Sequence, residues 1–271
     1  MNAPTPVSDS LTHWLDRSAR LRVVAVDATR AARGLCLLHD LEGDAARQFA
    51  SAVAGGLLFA CDLKSLQTLS LQVEVGARVY HVDATADSLV RGMSTTRAHE
   101  APVARVAVRR FGQKGLLYQS IVDVATLEVS KALEGHFLQS EQQVLRADLR
   151  CDLDERGLPT KVHGALVRGF PGTPPEELRE LLQAWDRRGD WDPSEPCRGL
   201  DERIWDRLAE QEVHHHCPCS KDRALASVRA LGLDALEQAA KADETLEVVC
   251  DFCRSVYRFG ADDFLPSDDM G

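Results

Sequence analysis

The stretch CPCSKDR at residues 217–223 and, about thirty residues further on, LEVVCDFCRSVYRF at 246–259 decide how the C-terminal part of this chain folds. Each stretch carries a closely spaced pair of cysteines, Cys217 with Cys219 and Cys250 with Cys253. Two such pairs can bring four soft thiolates to the corners of a tetrahedron, which is the arrangement of a closed structural zinc site. The spacing therefore predicts a Zn²⁺ site whose ligands are these four cysteines.

The residues between the two pairs fit a small spacer fold. Ser220 can cap a helix that runs to Leu231. Gly232 can end that helix, and Asp234 can cap a second, shorter one. The TLEVV run at 245–249 then predicts a strand that leads into the second cysteine pair. A segment of this size has little core of its own, so we expect the metal to supply much of its folding free energy and metal removal to melt it.

The cysteine cluster has two interpretations on the residues alone. Four cysteines at this spacing usually form a permanently structural zinc site. The same site is also a latent oxidation sensor, because its thiolates are nucleophilic and a disulfide would remove ligands and release the metal. His214 to His216, next to Cys217, are candidate spare ligands, although a solvated polar run is the simpler interpretation. Four basic residues either offset the charge of the thiolates or are ordinary surface charges: Lys221, Arg223, Arg254 and Arg258.

The apolar pattern of residues 1–175 predicts an α+β core domain, in which helices pack against a mixed sheet. LSLQVEV at 69–75 and VLRADLRCDL at 144–153 alternate apolar and polar residues, as half-buried strands do. DERG at 154–157 predicts the turn of an antiparallel hairpin after the second of these strands. Helical spacing of apolar residues predicts a helix within DAARQFASAVAGGLLFACDL at 44–63. The strand residues predicted to face the core are Leu69, Leu71, Val73 and Val75, and Leu145, Ala147, Leu149, Cys151 and Leu153.

Residues 176–216 predict a helical linker between the core domain and the cysteine-bearing segment, residues 217–271. Thr173, as a capping residue, and the prolines after it form a helix-start signal, so a helix is expected to run to about Arg187. The remainder is rich in charge, Gly and Pro. It also carries four large apolar residues: Trp191, Ile204, Trp205 and Leu208. Because aromatic side chains are costly in open water, we expect the two tryptophans to dock on the core, either permanently or conditionally.

Composition argues against several classes of partner. The formal net charge is −10 and the sequence pI is near 5.4, so the surface repels nucleic-acid phosphates and anionic lipids. No apolar run approaches the roughly 20 residues that span a bilayer, and the first residues lack the pattern of an export signal, so we expect a cytoplasmic protein. Cys36, Cys61 and Cys151 lie in apolar stretches and are expected to be core residues. Cys197, in the polar linker, is a candidate exposed thiol.

No enzyme motif stands out in the sequence. GxSxG, P-loop, GxGxxG and HExxH patterns are absent. The pair Cys250 and Cys253 follows a predicted strand, whereas a thioredoxin-like CxxC begins a helix in a βαβ context. We therefore expect no catalytic residues and a protein that is not an enzyme.

CPCSKDR and LEVVCDFCRSVYRF together resemble the C-terminal zinc domain of the redox-regulated 33-kilodalton heat-shock chaperonin family. Upstream stretches resemble that family's core domain, in the same order: DLKSLQTLSLQVEV, VDATADSLVRGM, YQSIVDV and HFLQSEQQ, the last with Ser140, Glu141 and Gln142. The resemblance covers nearly the whole chain. It implies an α+β core domain, a metastable helical linker and a zinc domain that holds the linker folded while the cysteines are reduced.

The resemblance also implies a function. Oxidants would convert the four zinc ligands into disulfides, with nearest neighbours paired, and zinc release would unfold the linker. The protein would then bind unfolding client proteins without ATP, as a homodimer when oxidised. The redox-active cysteines and zinc ligands would be Cys217, Cys219, Cys250 and Cys253, and the candidate client-binding residues Trp191, Ile204, Trp205 and Leu208. From the residues alone, four cysteines allow three pairings, and a zinc-stabilised interaction or regulatory module with a permanent metal stays an alternative.

Overall fold

The structure of the chain, a computed structural model, describes residues 8–230, 245–260 and 263. The chain forms two compact units, Met1–His216 and Cys217–Gly271, which are described separately here. No helix in the described part is long and apolar enough to cross a membrane.

A five-stranded antiparallel sheet, sheet A, forms one layer of the first unit. Its strands are β1 (Ser10–Asp16), β2 (Leu21–Asp27), β6 (Leu145–Leu153), β7 (Pro159–Gly169) and β8 (Trp205–Glu212). They lie in the order β6-β7-β2-β1-β8, so the edge strands are β6 and β8. Every strand pair of sheet A is antiparallel. As in any β-strand, successive residues point to opposite faces of the sheet.

A second sheet, sheet B, is built on a long hairpin. Its strands are β3 (Thr68–Thr85), β4 (Leu89–Gly112), β5 (Gly115–Val124) and the short β9 (His214–His215). The first three pair antiparallel in order, and β9 pairs parallel with the start of β4. The register of β3 on β4 shifts around Gly76, which has a φ of 58°.

Helices pack against the sheets. In the first unit they are α1 (Thr29–Leu38), α2 (Gly43–Ala60), α3 (Val129–His136), the π-helical turn Phe137–Glu141 and α4 (Pro175–Arg187). The central helix α2 is almost wholly buried. A Cβ atom on Gly55 or Gly56 would lie 2.5 Å from Leu133 Cδ1 or 2.6 Å from Val82 Cγ1, so these glycines allow α2 to approach its neighbours closely.

The α+β class and the core-facing strands predicted from the sequence are confirmed. Leu69, Leu71, Val73 and Val75 of β3 are buried in the main core. On β6, Leu145, Ala147 and Cys151 are buried, and Leu149 and Leu153 pack against the same core partly buried. The predicted hairpin over 144–170 is β6 and β7.

The linker is helical only at its start, which corrects the prediction for residues 176–216. Helix α4 ends at Arg187 as expected, but Trp205–Glu212 forms strand β8, which pairs antiparallel with β1. The pairing of backbone groups with the edge of β1 outweighs the helix-favouring composition of this segment. The capping role predicted for Thr173 is also wrong, because its hydroxyl donates to Arg20 O at 2.7 Å and α4 begins without a side-chain cap.

The second unit is described over α5 (Lys221–Ala230), β10 (Leu246–Val249) and β11 (Val256–Phe259). The Ser220 hydroxyl accepts the backbone N–H of Arg223 at 3.2 Å, so the predicted cap of α5 is confirmed. The strand predicted in TLEVV is β10, which pairs antiparallel with β11. The predicted roles of Leu231, Gly232 and Asp234 fall outside the described residues.

Candidate metal centre and the face beneath the linker

The four clustered cysteines lie on two short features of the second unit. Cys217 and Cys219 precede α5, and Cys250 and Cys253 occupy the turn between β10 and β11. The Cys250 carbonyl accepts the backbone N–H of Arg254 at 2.8 Å, and Arg254 has a φ of 57°. This left-handed residue lets the chain reverse tightly around the second cysteine pair.

The sulfur atoms fit the corners of a tetrahedral metal site. All four lie within 4.8 Å of one another. The Sγ atoms of Cys217 and Cys250 are 3.8 Å apart, and those of Cys219 and Cys253 are 3.2 Å apart. Zinc with Zn–S bonds of about 2.3 Å would place neighbouring sulfurs about 3.8 Å apart, whereas a disulfide needs about 2.05 Å. These sulfur atoms are therefore not joined in disulfides, and their donor set and spacing suit a soft, four-coordinate metal ion.

Two hydroxyl-bearing residues of the hairpin contact the sulfur atoms. The Tyr257 hydroxyl donates to Cys219 Sγ at 3.0 Å, and Ser255 Oγ lies 3.2 Å from Cys253 Sγ. Burial opposes ionisation of Cys253, but hydrogen bonds from Ser255 and contacts with the neighbouring thiols outweigh it and lower its pKa to about 6. The hairpin thus favours a thiolate at Cys253, the form in which cysteine binds metal.

The basic residues near the cluster have local partners. Lys221 Nζ lies 2.8 Å from a carboxylate oxygen of Asp263, and Arg258 Nε lies 2.6 Å from Glu247. Arg223 donates to a backbone carbonyl of the CPC loop. These contacts favour the interpretation that the predicted charges are ordinary surface charges.

The histidines before the cluster are part of sheet B. His214 and His215 form β9, and the backbone N–H of His216 donates to Val90 O at 2.9 Å. Within the described ranges, the group that could hold a metal ion consists of the four cysteines. The histidines therefore serve the backbone pairing of the first unit, and their use as spare ligands finds no support in this geometry.

The linker covers one face of sheet A and creates a second apolar cluster. We call this surface of the sheet the outer face; it consists of Leu21, Val23, Ala25, Ala165 and Val167, all buried. The residues that cover it are Leu181, Leu182, Trp185, Trp191, Cys197 and Leu200. The opposite face of the same strands faces the main core. The outer face therefore owes its burial to α4 and the irregular residues after it.

Two linker tryptophans bind one carboxylate of the core. Asp148 of β6 accepts the indole N–H of Trp185 at 3.1 Å and that of Trp191 at 2.9 Å. Arg150, on the same strand, forms a bidentate pair with Asp148. Its Nε donates to Oδ1 at 3.1 Å and its Nη2 to Oδ2 at 3.0 Å. Arg188 lies over the Trp185 ring at 4.3 Å. These five residues, Asp148, Arg150, Trp185, Arg188 and Trp191, are named the Asp148 clasp.

The four linker residues singled out from the sequence do not form one surface. Trp191 is buried, and Trp205 packs partly buried against the same cluster, so the expected docking of both tryptophans is confirmed. Ile204 and Leu208 are 54% and 61% exposed. The structure thus brings Trp191 and Trp205 to the outer face and leaves Ile204 and Leu208 in solvent.

The cysteines outside the cluster are shielded thiols. Cys36 and Cys151 are buried as predicted, and burial raises their pKa values to about 12 and about 11. Cys61 packs partly buried against the main core, and burial raises its pKa to about 12. The prediction of an exposed thiol at Cys197 is wrong, because this residue lies beneath the linker at 6% exposure and burial raises its pKa.

Sequence reasoning missed Asp148 and Tyr257. Asp148 alternates with core-facing residues of β6 and is flanked by Arg146 and Arg150, so a charged row on the outward side of a strand was the available signal. Nothing in the sequence shows that this row meets tryptophans far along the chain. Tyr257 follows the second cysteine pair within a predicted strand, where an aromatic residue usually packs in a core.

The chain is similar in sequence, over most of its length, to proteins named 33 kDa chaperonin. A sequence model described as Hsp33 protein matches residues 9–260. A protein of Synechococcus sp. (strain JA-2-3B'a(2-13)) named 33 kDa chaperonin is 27% identical over 290 residues, which cover 96% of this chain and 90% of that protein. A 33 kDa chaperonin of Pelobacter propionicus is 27% identical and covers 95% of this chain and 93% of its own length.

A solved structure shares the fold. The crystal structure of a 33 kDa chaperonin from Thermotoga maritima superimposes with a TM-score of 0.79 at 19% sequence identity, covering 95% of this chain and 97% of that one. At this identity the likeness concerns the fold, which extends over both units of the chain.

Proposed function

Because the chain belongs to the Hsp33 family, we propose that it is a redox-regulated, ATP-independent molecular chaperone of the cytoplasm. In this proposal it is zinc-bound and inactive while reduced. Oxidation forms disulfides, releases the ion, and allows the protein to bind unfolding proteins. The observation that carries the proposal is the cluster of four sulfur atoms within 4.8 Å, in a chain whose linker covers an apolar sheet face.

Cys217, Cys219, Cys250 and Cys253 would hold the ion. When bound, Zn²⁺ supplies a cross-link among four thiolates, which stabilises a unit with little apolar core of its own. In the described part of that unit, Val228 and Phe259 are the buried apolar residues. The cysteines, Ser220 and the hairpin β10–β11 would then keep the unit folded only while the thiolates stay reduced.

The redox step needs an oxidant such as hydrogen peroxide. Two cysteine thiolates lose two electrons and form one S–S bond, while the O–O bond of peroxide breaks and yields two hydroxide ions, which take up protons to become water. Each disulfide removes two ligands, so oxidation of all four cysteines releases the ion. Pairing of neighbours, Cys217 with Cys219 and Cys250 with Cys253, is what the family implies. The alternative is that Cys217 pairs with Cys250 and Cys219 with Cys253, because these sulfur atoms also lie close together. Mapping the disulfides of the oxidised protein would distinguish the two pairings.

The client-binding surface would be the outer face of sheet A together with linker tryptophans. Trp185 and Trp191 are 3% and 6% exposed while docked. Release of the linker would expose their rings and five apolar sheet residues, on the order of several hundred Å² of contiguous apolar surface. Surfaces of that size bind other chains, either unfolding proteins or a second copy of the oxidised chain. Ile204 and Leu208, which are already exposed, would be separate client contacts outside this surface.

A permanently structural metal is the second candidate. It is favoured by the two indole hydrogen bonds to Asp148, which give the linker a well-satisfied docked state. In that case the chain would be a zinc-stabilised interaction or regulatory module whose linker never leaves the outer face. Nucleic acid and membrane surfaces are not proposed as partners, since the net charge of −10 opposes both.

The test is to measure zinc content and suppression of client aggregation on one sample, before and after peroxide at elevated temperature. Zinc loss together with gained protection of a heat-unfolded client would support the redox-regulated chaperone. Retained zinc without client protection would contradict it and favour the permanent metal. Cys250→Ser should bind zinc poorly. Cys197→Ala, which alters a buried cysteine outside the cluster, should keep zinc and respond to peroxide as the wild type does.

A further inference from the structure

Two indole N–H groups from the linker converge on one carboxylate oxygen of the core. Trp185 and Trp191 both donate to Oδ2 of Asp148, and their ring centroids lie 5.4 Å apart. A buried indole N–H needs an acceptor, since an unsatisfied donor away from water is destabilising. Asp148 therefore satisfies both tryptophans that cover the outer face of sheet A.

The carboxylate is itself fixed by a guanidinium that reaches the linker. Arg150 donates through Nε and Nη2 to the two oxygens of Asp148. The same side chain donates to Gly189 O at 3.2 Å and lies 2.9 Å from a carboxylate oxygen of Asp190. Its guanidinium and that of Arg188 each lie 5.7 Å from the Trp191 ring centroid. Asp148 and Arg150 thus bind the backbone, the carboxylate and the aromatic rings of the linker from one edge strand.

Trp185 lies in α4, whereas the residues held after that helix, including Trp191, have no regular structure. Between α4 and β8 the chain forms turns and loops, so few repeating backbone hydrogen bonds keep it on the sheet. Two further hydrogen bonds join this segment to the core. The Thr12 hydroxyl donates to Pro193 O, and the Arg17 backbone N–H donates to Ile204 O. Hydrogen bonds to a charged group are stronger than neutral ones, so the clasp concentrates the polar stabilisation of this segment at Asp148.

We propose that Asp148 is a positioning residue that sets how readily residues 188–204 leave the outer face of sheet A, independently of the metal centre. Loss of its carboxylate opens this segment in the reduced, metal-loaded protein. The consequence for client binding rests on the proposed function, whereas the opening of the segment does not.

The test compares Asp148→Ala with the wild type in the reduced, zinc-loaded full chain by hydrogen exchange. Amides of residues 188–204 should lose protection roughly 10- to 100-fold, as expected when the charge-assisted hydrogen bond of Trp191 is removed. Zinc content and protection of β10 and β11 should stay unchanged. Asp190→Ala is the matched control, because it removes a 94% exposed carboxylate that also binds Arg150, while both indole N–H groups still donate to Asp148. Wild-type protection of 188–204 in Asp148→Ala would overturn the proposal.

A second variant keeps the test valid if Asp148→Ala folds poorly. Trp191→Phe preserves an aromatic ring in the cluster and removes the N–H that binds Asp148. If the clasp acts as a unit, the combined effect of Trp191→Phe and Asp148→Asn on protection should be smaller than the product of the single effects. Independent, multiplicative effects would overturn the coupling on which the proposal depends.

An aggregation assay on the same samples separates this proposal from the chaperone proposal. An opened linker with client protection, without oxidant, supports both. An opened linker without client protection supports the role of Asp148 and contradicts the chaperone surface. Unchanged linker protection in Asp148→Ala, beside a wild type that peroxide activates, overturns the role of Asp148 and leaves the chaperone proposal standing.

Discussion

Acid should destabilise the first unit through His136, a histidine buried at the end of α3. Its side chain is fully buried, with the rings of Phe59 and Phe137 at 5.8 and 6.2 Å. Among the residues that the structure describes, neither ring nitrogen finds a hydrogen-bond partner. Burial, and to a lesser degree the positive charge of Arg110, lower the pKa of His136 from 6.5 to about 4.

The sign and size of the effect follow from this pKa shift. In the unfolded chain the histidine takes up a proton near pH 6.5, whereas in the folded chain it does so only near pH 4. Between these pH values the unfolded state binds more protons than the folded state. The contribution of neutral His136 to the free energy of unfolding is therefore fully present above pH 6.5 and is lost as the pH falls toward 4. The full difference corresponds to about 3 kcal/mol, of which about 2 kcal/mol is lost by pH 5.

The assay is urea unfolding at pH 7 and pH 5, followed by tryptophan fluorescence. All four tryptophans of the chain lie before residue 206, so the signal reports the first unit. His136→Phe keeps a ring of similar size and cannot be protonated, and it should lose about 2 kcal/mol less than the wild type between the two pH values. His99→Gln alters an exposed histidine and should behave as the wild type does. An equal loss in His136→Phe and the wild type would refute the assigned role.

Three further outcomes are expected. Chelating the metal from the reduced protein should unfold the second unit, seen as lost amide protection in β10 and β11, because the ion supplies much of that unit's stability. Tyr257→Phe should release zinc several-fold faster under peroxide, followed with a chromogenic chelator, because the lost hydrogen bond leaves Cys219 a stronger nucleophile. Cys197 should react with iodoacetamide at least about 100-fold more slowly in the reduced native protein than in urea, measured by mass spectrometry, because its thiol is buried.

Each of these outcomes has a control or a result that would contradict it. Amides of α2 should stay protected during chelation, and protected β10 and β11 in the metal-free protein would show that the ion is dispensable for folding. Zinc release from Tyr257→Phe should be compared with that from Tyr118→Phe, which removes a hydroxyl bound to Ser140 in the first unit. Equal release rates would contradict the role of Tyr257. Rapid labelling of Cys197 in the native protein would mean that the linker opens readily without oxidant.

The sequence predicts those elements whose burial pattern is local. Alternation in LSLQVEV identifies a strand of sheet B because one face of β3 lies against the main core from Leu69 to Val75. The spacing of the cysteine pairs identifies the candidate metal centre because a four-thiolate site needs short intervals within each pair. Both signals are carried by residues close together in the chain.

Elements that depend on distant partners are not predictable in this way. Residues 205–212 carry no alternating apolar pattern and are mostly exposed; they form a strand because the edge of β1 is available to them. In the sequence, nothing distinguishes Asp148 from the other acidic residues. Its role depends on the fold, which places Trp185 and Trp191 against its carboxylate. Both strand β8 and the hydrogen bonds of Asp148 depend on partners far away in the chain. Neither produces a periodic pattern of apolar residues in the sequence.

The HFLQSEQQ stretch shows that a family landmark can be structural. The Ser140 hydroxyl lies 2.6 Å from both the Tyr118 and the Ser120 hydroxyls, and Glu141 lies 3.0 Å from Arg110. Gln142 adopts a φ of 54° directly after the π-helical turn. These contacts join the π-helical turn after α3 to β4 and β5, so the stretch builds the core domain and does not belong to the candidate metal centre.

Hydrogen exchange during peroxide treatment of the zinc-loaded chain, with zinc release recorded on the same sample, tests most directly whether the metal centre controls the linker. Amides of residues 188–204 should lose protection as zinc is released, α2 should keep its protection, and client binding should rise over the same interval. Zinc release with residues 188–204 still protected would contradict this prediction, because the metal centre would then have no hold on the linker.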